Sequence, residues 1–226
     1  MKHAYFIAGT DTEIGKTHAA CALLHAFRAQ GRSAVGMKPV AAGTAADGIN
    51  EDVAALIAAS SVAAPRALVN PWCFAAAVAP HIAARESGVT IRPEPVLAAF
   101  AELGKLAEVV VVEGVGGFLV PLDEDSGFDA ADLAAALALP IILVIGMRLG
   151  CLNHALLTQE AIKARGLTLA GWIANRVDPE MGRFAENLAT LQARLDAPLL
   201  GVIPHGAAGA EAARHLSLPA TAAESR

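Results

Sequence analysis

Four stretches of this sequence combine residue types and spacings that could do chemistry. The first, Gly9-Thr10-Asp11-Thr12-Glu13-Ile14-Gly15-Lys16-Thr17, closes as Gly-Lys-Thr at a helix start. Backbone N–H groups at such a start cradle phosphates, and the helix dipole favours the anion. In a phosphate loop of this kind Lys16 reaches the β- and γ-phosphates of a nucleotide and the Thr17 hydroxyl ligates Mg²⁺. The usual spacing puts four residues between the loop's glycines; here Thr10 to Ile14 make five. With the usual length imposed, Thr10 takes the place of the first glycine.

The second stretch is Met37-Lys38-Pro39-Val40, where a lysine meets the carboxyl end of a strand. A lysine there can hold a phosphoryl or carboxylate oxygen while negative charge builds on it. The third is Glu113-Gly114-Val115-Gly116-Gly117, directly after four valines. An acid after a buried strand is how nucleotide hydrolases present a metal ligand, and the glycines let backbone approach phosphates closely. Asp52, in Asn50-Glu51-Asp52, reads equally as a plain helix-start acid or as a partner of Thr17 and Glu113 in a metal site. The fourth, Gly146 to His154, is a strand-turn-helix junction: an anion-ready N-terminus that suits a substrate carboxylate, or an ordinary turn.

All four need strands that end on one edge. Strands are expected over Ala4–Ala8, Ala34–Pro39, Val109–Glu113, Ile141–Ile145, Ala170–Ala174 and Leu199–Ile203. Several are apolar throughout, as in parallel strands covered on both faces. Helices are expected over Lys16–Gln30, Glu51–Ser60, Pro93–Lys105, Ala130–Ala138, Asn153–Arg165 and Pro179–Leu195. This alternation predicts an α/β fold, a doubly wound and mostly parallel sheet flanked by helices, of P-loop nucleotide-hydrolase type, with ligands beyond the carboxyl ends of the strands. No repeat or linker divides the 226 residues, so one domain is expected. The tail from about Ala207 is alanine-rich and turn-prone, and disorder is expected over its last residues, Thr221–Arg226.

The chain is 55% hydrophobic and 17% charged, yet its longest apolar candidate, Ala130 to Met147, is interrupted by Asp132 and Pro140, so no membrane span is expected. The start, Met1-Lys2-His3-Ala4-Tyr5, lacks the apolar segment and cleavage site of a signal peptide, which predicts a cytoplasmic protein. Three cysteines without a CxxC pair argue against a disulfide scaffold or a zinc site. A net charge of −5 gives no basic face for nucleic acid.

The motifs together resemble the dethiobiotin synthetase family. The nine-residue loop from Gly9 to Thr17 is similar to that family's extended P-loop, which accounts for the extra residue. Lys38-Pro39-Val40-Ala41, Pro80-His81-Ile82, Val112-Glu113-Gly114, Leu149 to Ala155 and Gly166 to Trp172 match family segments in order and spacing, so the likeness spans residues 3–206. The resemblance implies a homodimeric enzyme, dependent on Mg²⁺ and ATP, with its active site at the subunit interface. Its substrates would be 7,8-diaminopelargonate and CO₂ or bicarbonate, and its products dethiobiotin, ADP and phosphate.

It further implies roles by position. Lys38, Lys16 and Thr12 would be catalytic. Thr17, Asp52 and Glu113 would hold Mg²⁺. ATP would be met by Glu13, Ile14, Gly15, Lys16, Thr17, His18, Asp52, Glu113, Gly114, Val115 and Gly116, and on the base side by Asn175, Arg176, Pro204, His205, Gly206 and Glu211. Substrate would be met by Thr12, Lys38 and Ala42, and by Leu149, Gly150, Cys151, Leu152 and Asn153 from across the dimer interface. Three positions depart from the family pattern: Ala42 stands where a serine is common, Ala77-Val78-Ala79 lacks polar residues often found before the Pro-His pair, and Asn187 replaces a tyrosine of some relatives. Two other classes fit less well. Partition-type ATPases carry an extra lysine early in the loop, absent from positions 10–14, and a cobyrinate-type amide ligase would bring a glutaminase domain for which 226 residues leave no room.

Overall fold

The computed structural model describes residues 1, 3–46 and 48–219. In chain order the elements are β1 (His3–Gly9), α1 (Lys16–Ala29), β2 (Ala34–Met37), β3 (Val40–Ala42), α2 (Glu51–Ala59), α3 (Arg66–Val69), β4 (Trp72–Phe74), α4 (Pro80–Glu86) and α5 (Pro93–Leu106). They continue with β5 (Val109–Glu113), α6 (Ala130–Leu137), β6 (Ile141–Gly146), α7 (Cys151–Ala164), β7 (Leu169–Asn175), α8 (Phe184–Arg194), β8 (Leu199–Ile203) and α9 (Gly209–Ala213).

Six strands form one parallel sheet in the order β2-β5-β1-β6-β7-β8. The chain first builds to one side of β1 and then to the other, so the order reverses at β1, and the crevice beyond that strand's carboxyl end is where such sheets bind ligands. The period-2 geometry of a strand divides the apolar runs between two cores. Val110, Val112, Leu143, Ile145 and Trp172 face one cluster, which takes in Val96 and Leu103 of α5 and Leu133 of α6. Val109, Val111, Ile142, Val144 and Ile173 face the other, under Leu23, Leu24 and Phe27 of α1 and Leu56 of α2. Both faces are covered, which is why these strands have no polar side.

The expected strand over Ala34–Pro39 ends at Met37. Pro39 has no N–H to give a ladder, and the Lys38 N–H turns away to the Val69 carbonyl at 2.8 Å. The chain then resumes as β3, which pairs with β4 in a separate two-stranded parallel sheet that the sequence did not announce. The last long helix begins at Phe184 and not at Pro179, because Arg183 sits at φ 56°, outside the helical region. Helix α7 begins two residues before the expected Asn153. Beyond Ala207 the chain forms the short helix α9, which packs against α1; Thr221–Arg226 lie outside the described residues.

Candidate active site

The carboxyl ends of β1, β2 and β5 open into a cavity of about 830 Å³. Thr12, Glu13, Gly15, Lys16, Thr17, His18, Lys38, Ala42, Asp52, Glu113, Val115 and Gly116 line it, so one site brings together the residues expected to be catalytic, those expected to hold the metal, and most of the phosphate loop.

Its phosphate end is built by close packing of loop on side chain. The Lys16 side chain runs over Gly9, where an added Cβ would lie 2.7–2.9 Å from its Cδ, Cγ and Nζ. Its ammonium donates to the Asp11 carbonyl at 2.7 Å. Gly15, the residue before α1, sits at φ 83°, and a Cβ there would come within 2.1 Å of Asn175 Nδ2. That amide nitrogen donates to the Ile14 carbonyl at 2.9 Å, so the end of β7 fixes the crown of the loop. Ile14 is itself buried and does not line the cavity. Burial holds the Lys16 ammonium down to about 8, and the Glu113, Asp52 and Asp11 charges only partly offset that effect.

Beside the loop lies a charged cluster. Lys38 Nζ stands 2.5 Å from Glu113 Oε1 and 2.8 Å from Asp52 Oδ2, and the Thr17 hydroxyl donates to the same Glu113 oxygen at 2.7 Å. Lys38 and Glu113 are buried, and Asp52 is half-exposed. Desolvation alone would push the Lys38 ammonium down, but the facing Glu113 and Asp52 carboxylates outweigh it and hold its pKa above the usual lysine value. Asp52 is pulled below the ordinary aspartate value, its own burial outweighed by Lys38, Thr17 and Lys16. The backbone of Lys38 is braced by the buried Asn70, whose amide donates to the Lys38 carbonyl at 2.7 Å.

The donor set suits a hard divalent cation. A hydroxyl and two carboxylates converge on one point, and Glu113 Oε2 is buried without a hydrogen-bond partner. A buried, unsatisfied carboxylate oxygen is costly unless a cation shares it. Thr17, Asp52 and Glu113 therefore fit Mg²⁺.

Opposite the charges the wall is aliphatic. Ala42, Ala77, Val78, Ala79, Pro80 and Val120 line it, held by the β3–β4 pair and by the N–H groups of Gly43 and Thr44, which donate to Phe74 and Ala75 carbonyls at 3.0 and 3.2 Å.

The remaining expected residues lie outside this cavity. Gly114 packs on the Phe6 ring behind the site. Asn175 ends β7, Arg176 follows it, and Pro204, His205 and Gly206 follow β8, with His205 Nδ1 3.2 Å from the Arg176 carbonyl and the Arg176 guanidinium over the Phe184 ring. Glu211 lies on α9. The turn Leu149-Gly150-Cys151-Leu152-Asn153 does not line the cavity of its own chain. Leu149 is 97% exposed, whereas Cys151 is buried in the core. Three residues that sequence reasoning passed over join these parts. Asp11 accepts Arg148 at 2.5 Å, linking phosphate loop to turn. Asn50 lines the cavity between Ala42 and Asp52. Their only sequence signal was adjacency to a motif, and for Asn50 its place before a helix.

A family model described as an AAA domain matches residues 3–211. The ATP-dependent dethiobiotin synthetase of Aromatoleum aromaticum is 62% identical over 221 residues, which cover 96% of this chain and 97% of that protein. The enzyme of the same name from Xanthomonas axonopodis pv. citri is 53% identical over 97% of this chain and all of its own length. The chain belongs to the dethiobiotin synthetase family. Dethiobiotin synthetases are ATP-dependent ligases, in keeping with a phosphate loop beside a charged cluster and an aliphatic wall. Solved structures with this fold include the septum site-determining protein MinD from Pyrococcus horikoshii, at 19% identity and a TM-score of 0.57, over 90% of this chain and 82% of that one. A ParA family ATPase from Chlorobium tepidum is similar at 14% identity and a TM-score of 0.56, over 91% and 85% of the two chains. At such identities the likeness is one of fold. Among the described residues no helix is long and apolar enough to cross a membrane.

Proposed function

We propose that this protein makes dethiobiotin: it joins CO₂ to 7,8-diaminopelargonate and uses ATP to close the ureido ring. The observation that carries this reading is the placement of two lysines of different character, Lys16 and Lys38, on one cavity between a phosphate loop and an apolar wall.

One amine of the substrate takes up CO₂ to give a carbamate and releases a proton. A carbamate oxygen then attacks the γ-phosphorus of ATP, ADP leaves, and a carbamic-phosphoric anhydride results. The second amine attacks the anhydride carbonyl, expels phosphate, loses its proton and closes the ring. Lys38, held cationic by Glu113 and Asp52, stabilises the anionic carbamate and the transferring phosphoryl group. Lys16 meets the β- and γ-phosphates, and Thr12 lies on the substrate side of the loop. Thr17, Asp52 and Glu113 hold Mg²⁺, which supplies neutralisation of the triphosphate charge. The aliphatic wall receives the alkyl chain and keeps water from the anhydride. No side chain acts as a covalent nucleophile.

Asn175, Arg176, Pro204, His205, Gly206 and Glu211 receive the base and ribose. The Leu149–Asn153 turn, exposed at Leu149, Gly150 and Asn153 and outside its own chain's cavity, binds the substrate carboxylate in a second copy of the chain, making the enzyme a homodimer with its sites at the interface. Three free cysteines suit the reducing cytoplasm. A partition-type ATPase, favoured by the fold likeness, is disfavoured by the absence of lysine at positions 10–14. The test is phosphate release from ATP with Mg²⁺ and bicarbonate, with and without the diamine. Release that depends on the diamine is expected; release indifferent to it overturns the assignment.

A further inference from the structure

Asn50 immediately precedes α2 and is buried, with about 5% of its surface exposed. Its two side-chain ends do different work. The Oδ1 oxygen accepts the Val53 N–H at 3.2 Å and so caps the helix that carries Asp52. The Nδ2 nitrogen donates to the Gly43 carbonyl at 2.7 Å. Gly43 follows Ala42 of β3, and its own N–H is bonded to the Phe74 carbonyl. The segment 42–44 is thereby laced to the segment 74–79, whose Ala77, Val78 and Ala79 form the aliphatic wall. Asn50 bridges two surfaces of the cavity: the helix start that presents a carboxylate to Lys38 and Thr17, and the wall that faces them.

We infer that Asn50 is a positioning residue for the diamine: it sets the distance between the aliphatic wall and the Asp52–Lys38 cluster, and this inference rests on the synthetase activity proposed above. A plain helix cap needs only the acceptor. The donor end, bonded to the carbonyl of Gly43 next to the wall residue Ala42, is what a cap does not require. Because Ala42 and Ala77 to Ala79 offer no side-chain hydrogen bond of their own, the wall can hold the alkyl chain only by shape, and shape depends on this tether.

Asn50→Ser and Asn50→Asp separate the two ends: both keep an oxygen for Val53, and neither can donate to Gly43 from an amide. Steady-state kinetics and backbone hydrogen exchange are measured on both and on the wild type. The expected result is that KM for the diamine rises roughly tenfold while KM for ATP stays within twofold. The amides of Gly43 and Thr44 exchange up to about tenfold faster, the equivalent of one hydrogen bond of about 1.4 kcal/mol, and α2 stays protected. Asn50→Ala, which loses the cap as well, also exposes the α2 amides. A diamine KM within twofold of wild type in an active Asn50→Ser or Asn50→Asp protein, or equal rises in both KM values, overturns the positioning role. Should one variant not fold, the other carries the same test. Were the wild type to show no diamine-dependent turnover, the synthetase assignment would fall by itself; unchanged exchange at Gly43 and Thr44 would then overturn the tether independently.

Discussion

Lys38 Nζ lies 2.5 Å from Oε1 of the buried Glu113. The pair is joined by Asp52 on one side and by the Thr17 hydroxyl on the other. A buried cation with two carboxylates is a weak stabilising device on balance, but removal of one member leaves buried charge uncompensated. The arrangement therefore makes sense as chemistry before it makes sense as stability.

Lys38→Gln is expected to lower turnover by at least about a hundredfold, the usual effect of deleting one donor to a developing anion. Nucleotide binding should survive, since Lys16 and the loop amides are untouched. Turnover assays beside equilibrium ATP binding check both halves. Thermal unfolding should show a loss of about 3 kcal/mol, because Glu113 and Asp52 then face each other without their cation.

Lys16 gives the site a pH dependence. Its folded pKa, about 8, lies below its ordinary value of 10.5, so between these values the folded protein binds fewer protons than the unfolded chain. Its burial then costs stability fully below about pH 8, and that cost is relieved as pH rises toward 10.5. Binding a triphosphate reverses the preference and draws a proton onto the amine. Calorimetry at pH 8.5 in buffers of different ionisation enthalpy should show uptake of up to about three-quarters of a proton per nucleotide, and almost none from Lys16 at pH 6.5. Affinity should weaken as pH rises through about 8.

Gly15→Ala tests the packing of the loop. The residue sits at φ 83°, and its new Cβ would fall 2.1 Å from Asn175 Nδ2. Left-handed strain and overpacking together cost about 2–4 kcal/mol. Differential scanning calorimetry should find a loss of that order, and nucleotide binding should fail because the Asn175 bond to the Ile14 carbonyl is displaced.

Arg148→Ala tests the link between the phosphate loop and the exposed turn. Both partners of the Arg148–Asp11 pair are about 42% exposed, so its net contribution to stability should be under about 1 kcal/mol. The melting point should fall by no more than roughly 4 °C. Nucleotide affinity should fall less than tenfold, through a loosened Asp11 carbonyl beneath Lys16.

The strands were legible because a parallel sheet covered on both faces must be apolar throughout, as Val109 to Val112 are. The phosphate loop was legible because phosphate binding constrains consecutive residues. Lys38 was found, but its strand was drawn two residues too long, through a proline that cannot continue a ladder. The three-residue strands Val40–Ala42 and Trp72–Phe74 carry no period of their own and exist because they pair with each other. Asn70, Asp11 and Arg148 act across separations of 32 to 137 residues, and such partners are set by tertiary approach, which no local pattern records; Asn50 was visible as a helix cap, but its second bond, to Gly43, was not. Arg183 at a left-handed position delayed α8 in a way that nothing in its neighbours announces.

The most direct test follows a labelled carbon. With [¹³C]bicarbonate, Mg²⁺, ATP and 7,8-diaminopelargonate, the purified protein should place the label in the ureido carbonyl of dethiobiotin and release one phosphate for each ring closed. Phosphate released without the diamine, or a product whose carbonyl carries no label, would contradict the account.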